Sequence, residues 1–147
     1  MFKHILVPTD GSTLSLKALD LAAGLAHGTD AQIYVLHVAP NYPTTIGGDG
    51  YMVATISPQQ WDVSVAKHTA QIRAQVEKRA KAKSVAVQFL STSLDQPYTA
   101  IIAVAKRKKC DLIVMSSHGR KGISALLLGS ETIKVLTHCK LPVLVCR

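Results

Sequence analysis

The sequence predicts an α/β protein in which one parallel, five-stranded sheet lies between two layers of helices. Short apolar runs, typical of strands buried on both faces, alternate along the chain with longer helical segments. The 147 residues are 48% hydrophobic and 18% charged, which suits one domain with a sizeable core. We therefore expect residues 1–147 to form a single doubly wound domain with right-handed crossovers.

The first half of the chain predicts two strands, at 3–7 and 32–38, and two helices. The first helix begins near residue 12 and ends before Gly28, a residue suited to the position just past a helix. Its apolar stripe comprises Ala18, Leu21, Ala22, Leu25 and Ala26. The irregular segment 40–58 is long enough to predict a mobile flap or binding loop. A long helix then spans about 59–83, with one face formed by Trp61, Val65, Ile72, Val76 and Ala80.

The second half predicts three strands, at 85–90, 112–115 and 142–146, separated by two helices. One helix starts at Asp95-Gln96-Pro97, where the proline suits the first helical turn. Its inner face is expected to comprise Ile101, Ile102, Val104 and Ala105. The other helix runs from Ser130 to about His138.

The segment 111–130 contains the candidate binding loop. A buried strand leads into a polar, glycine-bearing loop, and nine residues separate Gly119 from Gly129. Ser130 follows at once and is a residue type that N-caps helices. Glycines let backbone N–H groups approach an anion closely, and a helix N-terminus adds unpaired donors and a positive dipole. The segment therefore predicts a phosphate-binding loop.

Asp10 is the second candidate binding residue. It follows the first strand in a Pro-Thr-Asp-Gly-Ser turn. Ligands of doubly wound sheets bind beyond the carboxyl ends of the strands, where the strand order reverses. If the first strand lies beside the fourth, Asp10 meets the 116–130 loop in one crevice. Two plainer interpretations stay open: Asp10 serves only its turn, and Ser130 serves only as an N-cap.

Two histidines lie in or beside these segments. His37, on an apolar strand, is typical of a core histidine with satisfied hydrogen bonds rather than of a ligand. His118, beside Gly119, is exposed enough for acid–base catalysis in principle, but no neighbouring Ser or Asp requires that role. The sequence has no Gly-Lys-Ser/Thr phosphate-binding element.

The formal net charge of +8 arises largely from two segments, 67–83 and 106–109, which both lie on predicted helices. The second closes its helix, where cations meet the C-terminal dipole favourably. No stacking aromatic residues lie among these charges, so solvated helix faces are favoured and nucleic acid is an unlikely partner. A basic protein that contacts nucleic acid stays as an alternative, separable by its salt dependence.

The cysteines and the N-terminus indicate a compartment. Cys110, Cys139 and Cys146 are odd in number and lack CxxC spacing, which argues against a disulfide framework or a zinc site. The chain enters a strand-like run at once, without a secretory pattern, and no apolar run approaches the ~20 residues of a membrane span. We expect a reduced, cytoplasmic protein that does not cross a membrane.

The chain resembles the universal stress protein family over essentially its whole length. The stretches 5–12, 35–38 and 116–130 carry the resemblance. Family members that bind ATP share a Gly-x2-Gly-x9-Gly-Ser/Thr pattern, which Gly119, Gly129 and Ser130 match. Ser116 stands where the pattern has its first glycine. The resemblance implies a Rossmann-like fold similar to adenine nucleotide α-hydrolases, with strand order 3-2-1-4-5.

The resemblance also implies how ATP would be held. Asp10 would bond the ribose hydroxyls or adenine, Val38 and Met115 would flank the base, and the glycine loop would hold phosphates bridged by Mg²⁺ or Mn²⁺. The metal would be held mainly by the phosphates, and no residue is assigned as its ligand or as catalytic. The implied nucleotide-binding set is Pro8, Thr9, Asp10, Val38, Met115, Ser116, His118, Gly119, Arg120, Gly122, Gly129, Ser130, Glu131 and Thr132.

The favoured function is a nucleotide-binding stress-response module in which the ligand controls partner binding. A weak ATPase or nucleotide-processing enzyme and a nucleotide-free dimeric interaction protein are the alternatives. Related adenylating enzymes carry a Ser-Gly-Gly-x-Asp-Ser loop after the first strand, whereas this chain has Pro-Thr-Asp-Gly-Ser, which favours binding over turnover.

The last strand predicts a homodimer. Val143–Cys146 is apolar throughout and should lie at a sheet edge, where unpaired backbone groups invite another chain. Pairing with the same strand of a second copy would cover it, as the family resemblance also implies. The alternative is a monomer whose edge is covered by the 40–58 segment.

Overall fold

The computed structural model describes residues 1–42, 56–119 and 128–147, and it contains five strands and four helices within those ranges. In chain order they are β1 (His4–Pro8), α1 (Thr13–Ala26), β2 (Gln32–Ala39), α2 (Pro58–Ala82), β3 (Val87–Ser93), α3 (Pro97–Arg107), β4 (Leu112–Ser116), α4 (Ser130–His138) and β5 (Val143–Cys146). The segment that we predicted to be a flap lies largely outside the described residues.

The strands form one parallel sheet in the order β3-β2-β1-β4-β5, which confirms the predicted topology. β1 is central, and it pairs with β2 along its length and with β4 through Ile5 and Leu6. After β3 the chain returns to the other side of β1, so the strand order reverses between β1 and β4. This switch point is where a doubly wound sheet is expected to bind its ligand.

The core has two halves, one on each face of the sheet. β1 shows the alternation, since Ile5 and Val7 face α1 and α2 while Leu6 faces α3 and α4. Leu19 and Ile72 fill the first half, and the second half contains Leu36, Ile101, Val104, Ile113 and Val135. Burial on both faces explains why the central strands are apolar runs rather than alternating ones.

The predicted apolar faces of the helices needed correction. Leu21 and Leu25 of α1 are 38% and 39% exposed, while Leu19 is buried. The inward face of α1 is formed mainly by alanines, which let the helix lie close to the sheet, and this rotates the two leucines outward. Trp61, Val65 and Ile102, also expected to face inward, are only half-buried.

The third strand begins later than predicted. Residue 85 was expected to start it, but the N–H of Val85 still donates to the carbonyl of Ala80 at 3.0 Å. Ser84 has a φ of +52°, so the chain closes α2 with a left-handed turn before it extends. β3 therefore runs from Val87 to Ser93.

Two local predictions are confirmed. Gln96 is the N-cap of α3 and Pro97 its first residue, and Gly28 follows α1 at a φ of +71°.

All three cysteines are free, and burial raises the pKa of the Cys110 thiol to about 11. No helix within the described ranges is long and apolar enough to cross a membrane.

Candidate functional site

A cleft of about 590 Å³ lies at the carboxyl edge of the sheet, where β1, β2 and β4 end and α3 and α4 begin. This volume is within the range of small-molecule sites. Twelve of the fourteen predicted site residues line it: Pro8, Thr9, Asp10, Val38, Met115, Ser116, His118, Gly119, Gly129, Ser130, Glu131 and Thr132. The other two, Arg120 and Gly122, lie outside the described residues.

Asp10 connects the ends of β1 and β4. Its Oδ1 accepts the N–H of Ser12 at 2.9 Å, and Gly11 between them has a φ of +76°, so Asp10 does serve the predicted turn. Its Oδ2 lies against Gly119, where a Cβ would stand only 2.5 Å away. Asp10 is therefore a turn residue and a wall of the cleft, and Gly119 is needed for the close approach.

Hydrogen bonds hold the end of β1 rigidly. The N–H of Thr9 donates to the Leu36 carbonyl at 2.8 Å, which continues the sheet past β1. Thr9 Oγ1 lies 2.8 Å from the Ser15 hydroxyl and accepts the Gly11 N–H at 3.1 Å. Ser12 caps α1 by accepting the N–H of Ser15. The Asp10 carboxylate is thus presented by a fixed turn.

The ends of the glycine loop are joined by short backbone bonds. Ser117 donates its N–H to the Cys146 carbonyl at 2.7 Å and accepts the Gly129 N–H at 2.6 Å. A Cβ on Gly129 would lie 3.1 Å from His118 Cα and 3.2 Å from the Ser117 carbonyl oxygen. A side chain at position 129 would therefore press on the main chain of Ser117 and His118, and glycine avoids this contact between β4 and α4.

The start of α4 differs from the prediction. Gly129, not Ser130, is the N-cap, since its carbonyl accepts the N–H of Ile133 at 3.0 Å and its ψ is 150°. Ser130 is the first helical residue and is exposed. Among the described residues no side chain caps this helix. Because the first N–H groups of a helix cannot bond within it, residues 130–132 bring donors and a positive helix end to the cleft.

Glu131 and Thr132 bind neighbouring elements. The Glu131 carboxylate accepts the Tyr98 N–H at 2.9 Å, which caps α3, and pairs with Lys134 Nζ at 3.0 Å. Thr132 is buried, and its hydroxyl donates to the Ser116 carbonyl at 3.0 Å. These bonds fix α4 against α3 and β4, so the orientation of its N-terminus is set by two of its own side chains and by backbone groups of those two elements.

One side of the cleft is apolar. Val38 and Met115 form part of it, as predicted, together with Leu36, Pro97 and Ile101. Leu36 could have been found from the sequence, because it shares the face of β2 with Val38 two residues later. Pro97 and Ile101 could not, since their position depends on how α3 packs on the sheet.

Histidines line other parts of the cleft. His37 is buried, and its Nδ1 lies 3.2 Å from the Thr9 carbonyl oxygen, as expected for a core histidine. Its ring contacts that of His68 on α2, with centroids 6.0 Å apart, and this second ring was not predicted. His118 Nδ1 lies 3.0 Å from the hydroxyl of Ser117, the residue next to it in the chain.

Comparison with known proteins agrees with this geometry. The model of the universal stress protein family matches residues 1–147. The chain belongs to the universal stress protein family. A universal stress protein of Methanocaldococcus jannaschii is 31% identical over 150 residues, which cover 100% of this chain and 83% of the relative. The universal stress protein YxiE of Bacillus subtilis is 32% identical over 150 residues and 100% of both chains.

Solved structures of the family share the fold. Universal stress protein UspA from Lactobacillus plantarum has a TM-score of 0.79 at 23% identity, covering 99% of this chain and 97% of that one. A universal stress protein in complex with cAMP has a TM-score of 0.70 at 25% identity, covering 99% and 97%. The Archaeoglobus fulgidus protein in complex with dAMP has a TM-score of 0.70 at 18% identity, covering 99% and 98%.

Ser116 remains the departure from the ATP-binding pattern of the family. It is the last residue of β4, is 8% exposed and lines the cleft. Its carbonyl is taken by Thr132, so the main chain at this position is held by α4. If serine in place of glycine at position 116 affects a ligand, we expect the effect to come from the hydroxymethyl group of Ser116.

Proposed function

We propose that this universal stress protein binds an adenine nucleotide in the cleft, with ATP and Mg²⁺ or Mn²⁺ as the expected ligand. The observation that carries the proposal is the meeting of the Asp10 carboxylate, the glycine positions and the uncapped N-terminus of α4 at the switch point of the sheet. Adenine nucleotides in two solved relatives, cAMP and dAMP, support the ligand class.

Each part of the cleft suits one part of such a ligand. The N–H groups at the start of α4 would donate to phosphate oxygens, because a helix N-terminus is an anion site. The Asp10 carboxylate would accept hydrogen bonds from ribose hydroxyls. The apolar side around Val38 and Met115 would cover the base.

The metal would be held mainly by the phosphates. Among the residues that the structure describes, no group of three or more His, Cys, Asp or Glu side chains could hold a metal ion. A cation that arrives with the nucleotide would need few ligands from the protein, since Mg²⁺ commonly keeps its waters and binds through phosphates.

We infer a regulatory role in which the ligand controls partner binding. Ser117 joins the glycine loop to β5 through its two backbone bonds to Gly129 and Cys146. A ligand that orders the start of α4 therefore acts one residue away from the edge strand.

We further propose a two-fold dimer through β5. Among the described residues β5 pairs only with β4, so its other side offers backbone groups that no described strand pairs with. Leu144 is 37% exposed, an apolar side chain that a second copy would cover.

The three free thiols suit a reducing compartment, and we propose the cytoplasm.

Native mass spectrometry of the purified protein, followed by calorimetric titration, tests the nucleotide proposal. We expect an adenine nucleotide to co-purify, and ATP with Mg²⁺ to bind more tightly than GTP. Titrations with cAMP and dAMP decide among the adenine ligands. Nucleotide-free protein that binds neither ATP, cAMP nor dAMP would refute the proposal, and rapid ADP release would favour the enzyme.

A further inference from the structure

The amino edge of the sheet carries a dense group of cations, opposite to the cleft. We call it the basic end and define it by Lys3, Lys81, Lys83, residues 106–109 and Lys140. All of these side chains except Lys108, which is half-buried, are exposed. We propose that the basic end binds the phosphate backbone of single-stranded nucleic acid.

Tertiary structure brings these residues together from distant parts of the chain. The Asp111 carboxylate accepts the N–H of Lys3 at 2.8 Å and of His4 at 2.9 Å, and His4 Nδ1 lies 3.1 Å from the Lys109 carbonyl oxygen. The start of β1 is thereby fastened to the end of α3. Lys83 follows α2 and Lys140 follows α4, so both helices deliver cations to the same edge.

Part of this charge has an ordinary structural explanation. All four helices run antiparallel to the strands and end at this edge, and each C-terminus carries about half a negative charge, about −2 in total. Asp30 and Asp111 add two formal negative charges. Eight cations therefore exceed the local negative charge by about four. None of the eight forms an ion pair with the described residues.

The arrangement of the excess positive charge at the basic end indicates the kind of partner. Five strand ends at a spacing of about 4.8 Å spread the cations over roughly 19 Å, which matches a polyanion rather than a single phosphate. Seven of the eight are lysines, which act as point charges and do not impose the bidentate geometry of arginine. Such a surface suits binding that does not depend on sequence.

No aromatic residue lies within the charged runs, which makes nucleic acid an unlikely partner from the sequence alone, but the fold brings rings from residues 2–4 and from β2 beside these cations. These rings favour a single strand over a duplex or a membrane. Phe2, beside Lys3, is 38% exposed. The half-buried His4 and Tyr34 rings lie 6.1 Å apart, and Lys108 Nζ lies 5.1 Å from the Tyr34 centroid, so Phe2 is the exposed ring of the three. Single-stranded nucleic acid combines phosphates for the lysines with unpaired bases for the rings, whereas a duplex hides its bases.

Fluorescence anisotropy with a labelled single-stranded DNA of mixed sequence tests the proposal. We expect binding at 50 mM salt that weakens with a log–log slope of about −3, from roughly four contacts. The double variants Lys81→Gln/Lys83→Gln and Lys106→Gln/Arg107→Gln should each halve the slope. They should weaken binding by about ten-fold, with unchanged thermal melting.

The matched control is Lys17→Gln/Lys67→Gln, which removes two exposed lysines outside the basic end. We expect it to change affinity by less than about two-fold. An equal loss in the control would show that only net charge matters and would overturn the site.

Three further results would also overturn the proposal. The first is an absence of binding at 50 mM salt. The second is competition by ATP with Mg²⁺, which would place the strand in the cleft. The third is equal or tighter binding to the DNA duplex, to anionic lipid vesicles or to polyglutamate, which would assign the surface to that partner. Since the basic end lies at the opposite edge from the cleft, the salt slope and the effects of the lysine variants do not depend on whether the cleft binds a nucleotide.

Discussion

The two ends of the sheet attract anions by different means. At the carboxyl edge the described residues contribute positive charge through the backbone, because the helices begin there and residues 130–132 bring N–H donors to the cleft. At the amino edge the same helices present their negative ends, and lysines and an arginine outweigh them. A parallel α/β sheet therefore has an electrostatic polarity, because its helices place their positive ends at one edge and their negative ends at the other. Backbone N–H groups can bind an anion at the carboxyl edge, whereas the amino edge needs lysine and arginine side chains to do so.

The largest expected effect is at the carboxyl edge. Gly129→Val places a branched side chain where a Cβ would already lie 3.1 Å from His118 Cα. We expect ATP affinity to fall by at least about a hundred-fold, because the loop can no longer pack against α4. DNA binding at the basic end should be unchanged. Calorimetry and anisotropy on the same protein measure the two effects.

Gly24→Val is the matched control for that substitution, since a Cβ at Gly24 has no atom within 4 Å. It should leave ATP binding unchanged. Wild-type affinity in Gly129→Val would remove the phosphate-loop assignment.

The proposed dimer links the two ends of the sheet, since a two-fold antiparallel pairing of β5 strands would place the cleft of one copy beside the basic end of the other. Leu144→Lys puts a charge on the proposed interface and should convert the dimer into a monomer at micromolar concentration. Leu21→Lys is the control, because Leu21 is equally exposed on α1. Analytical ultracentrifugation measures both, and a monomeric wild type would contradict the dimer.

Asp10→Asn separates the two roles of Asp10. The variant keeps a side-chain oxygen for the Ser12 N–H, so the turn and the melting temperature should be preserved. It removes the charged acceptor, and we expect ATP affinity to fall by about ten-fold. Asp62→Asn, an exposed carboxylate on α2, should have no effect. If Asp10→Asn binds ATP as the wild type does, Asp10 serves only its turn.

Asp111 gives the amino edge its own pH dependence. Burial raises the pKa of Asp111, but the donated N–H groups of Lys3 and His4 outweigh it, so the pKa lies below the ordinary value. A lowered pKa stabilises the fold above the ordinary carboxyl pKa, and this stabilisation is lost as the pH falls through the lowered pKa.

Asp111→Asn should therefore cost about 2 kcal/mol at pH 7 and almost nothing at the acid end of the titration. Urea unfolding between pH 7 and the most acid pH at which the fold persists measures this difference. Asp30→Asn, an exposed aspartate at the same edge, should cost little at either pH. A cost that does not shrink as the pH falls would contradict the assignment.

The smallest effect is expected at Ser116. Only its hydroxymethyl group distinguishes it from the glycine of the family pattern, and Ser116→Gly should tighten ATP binding by about three-fold through closer approach. Ser91→Gly on β3 controls for the cost of a glycine in a strand. Equal or weaker ATP binding in Ser116→Gly would show that the departure does not matter.

The elements, apart from some of their ends, and the location of the candidate site could be predicted from the sequence alone. Strands buried on both faces are visible as apolar runs, and Gly28 and Pro97 mark a helix end and a helix start, because these signals act within a few residues. The spacing of Gly119 and Gly129 predicted the candidate phosphate-binding loop, because that spacing is also read from one short stretch of the chain. All of these are properties of one strand, one turn or one helix.

Tertiary structure decided everything that depends on two distant segments. It turned Leu21 outward, brought His68 to the cleft and directed Glu131 to cap α3 through the Tyr98 N–H. It also brought Lys83 and residues 106–109 to one edge of the sheet, although α2 and α3, which they close, pack on opposite faces of that sheet. No local pattern encodes these contacts, because they depend on how the helices rotate and end against a shared sheet.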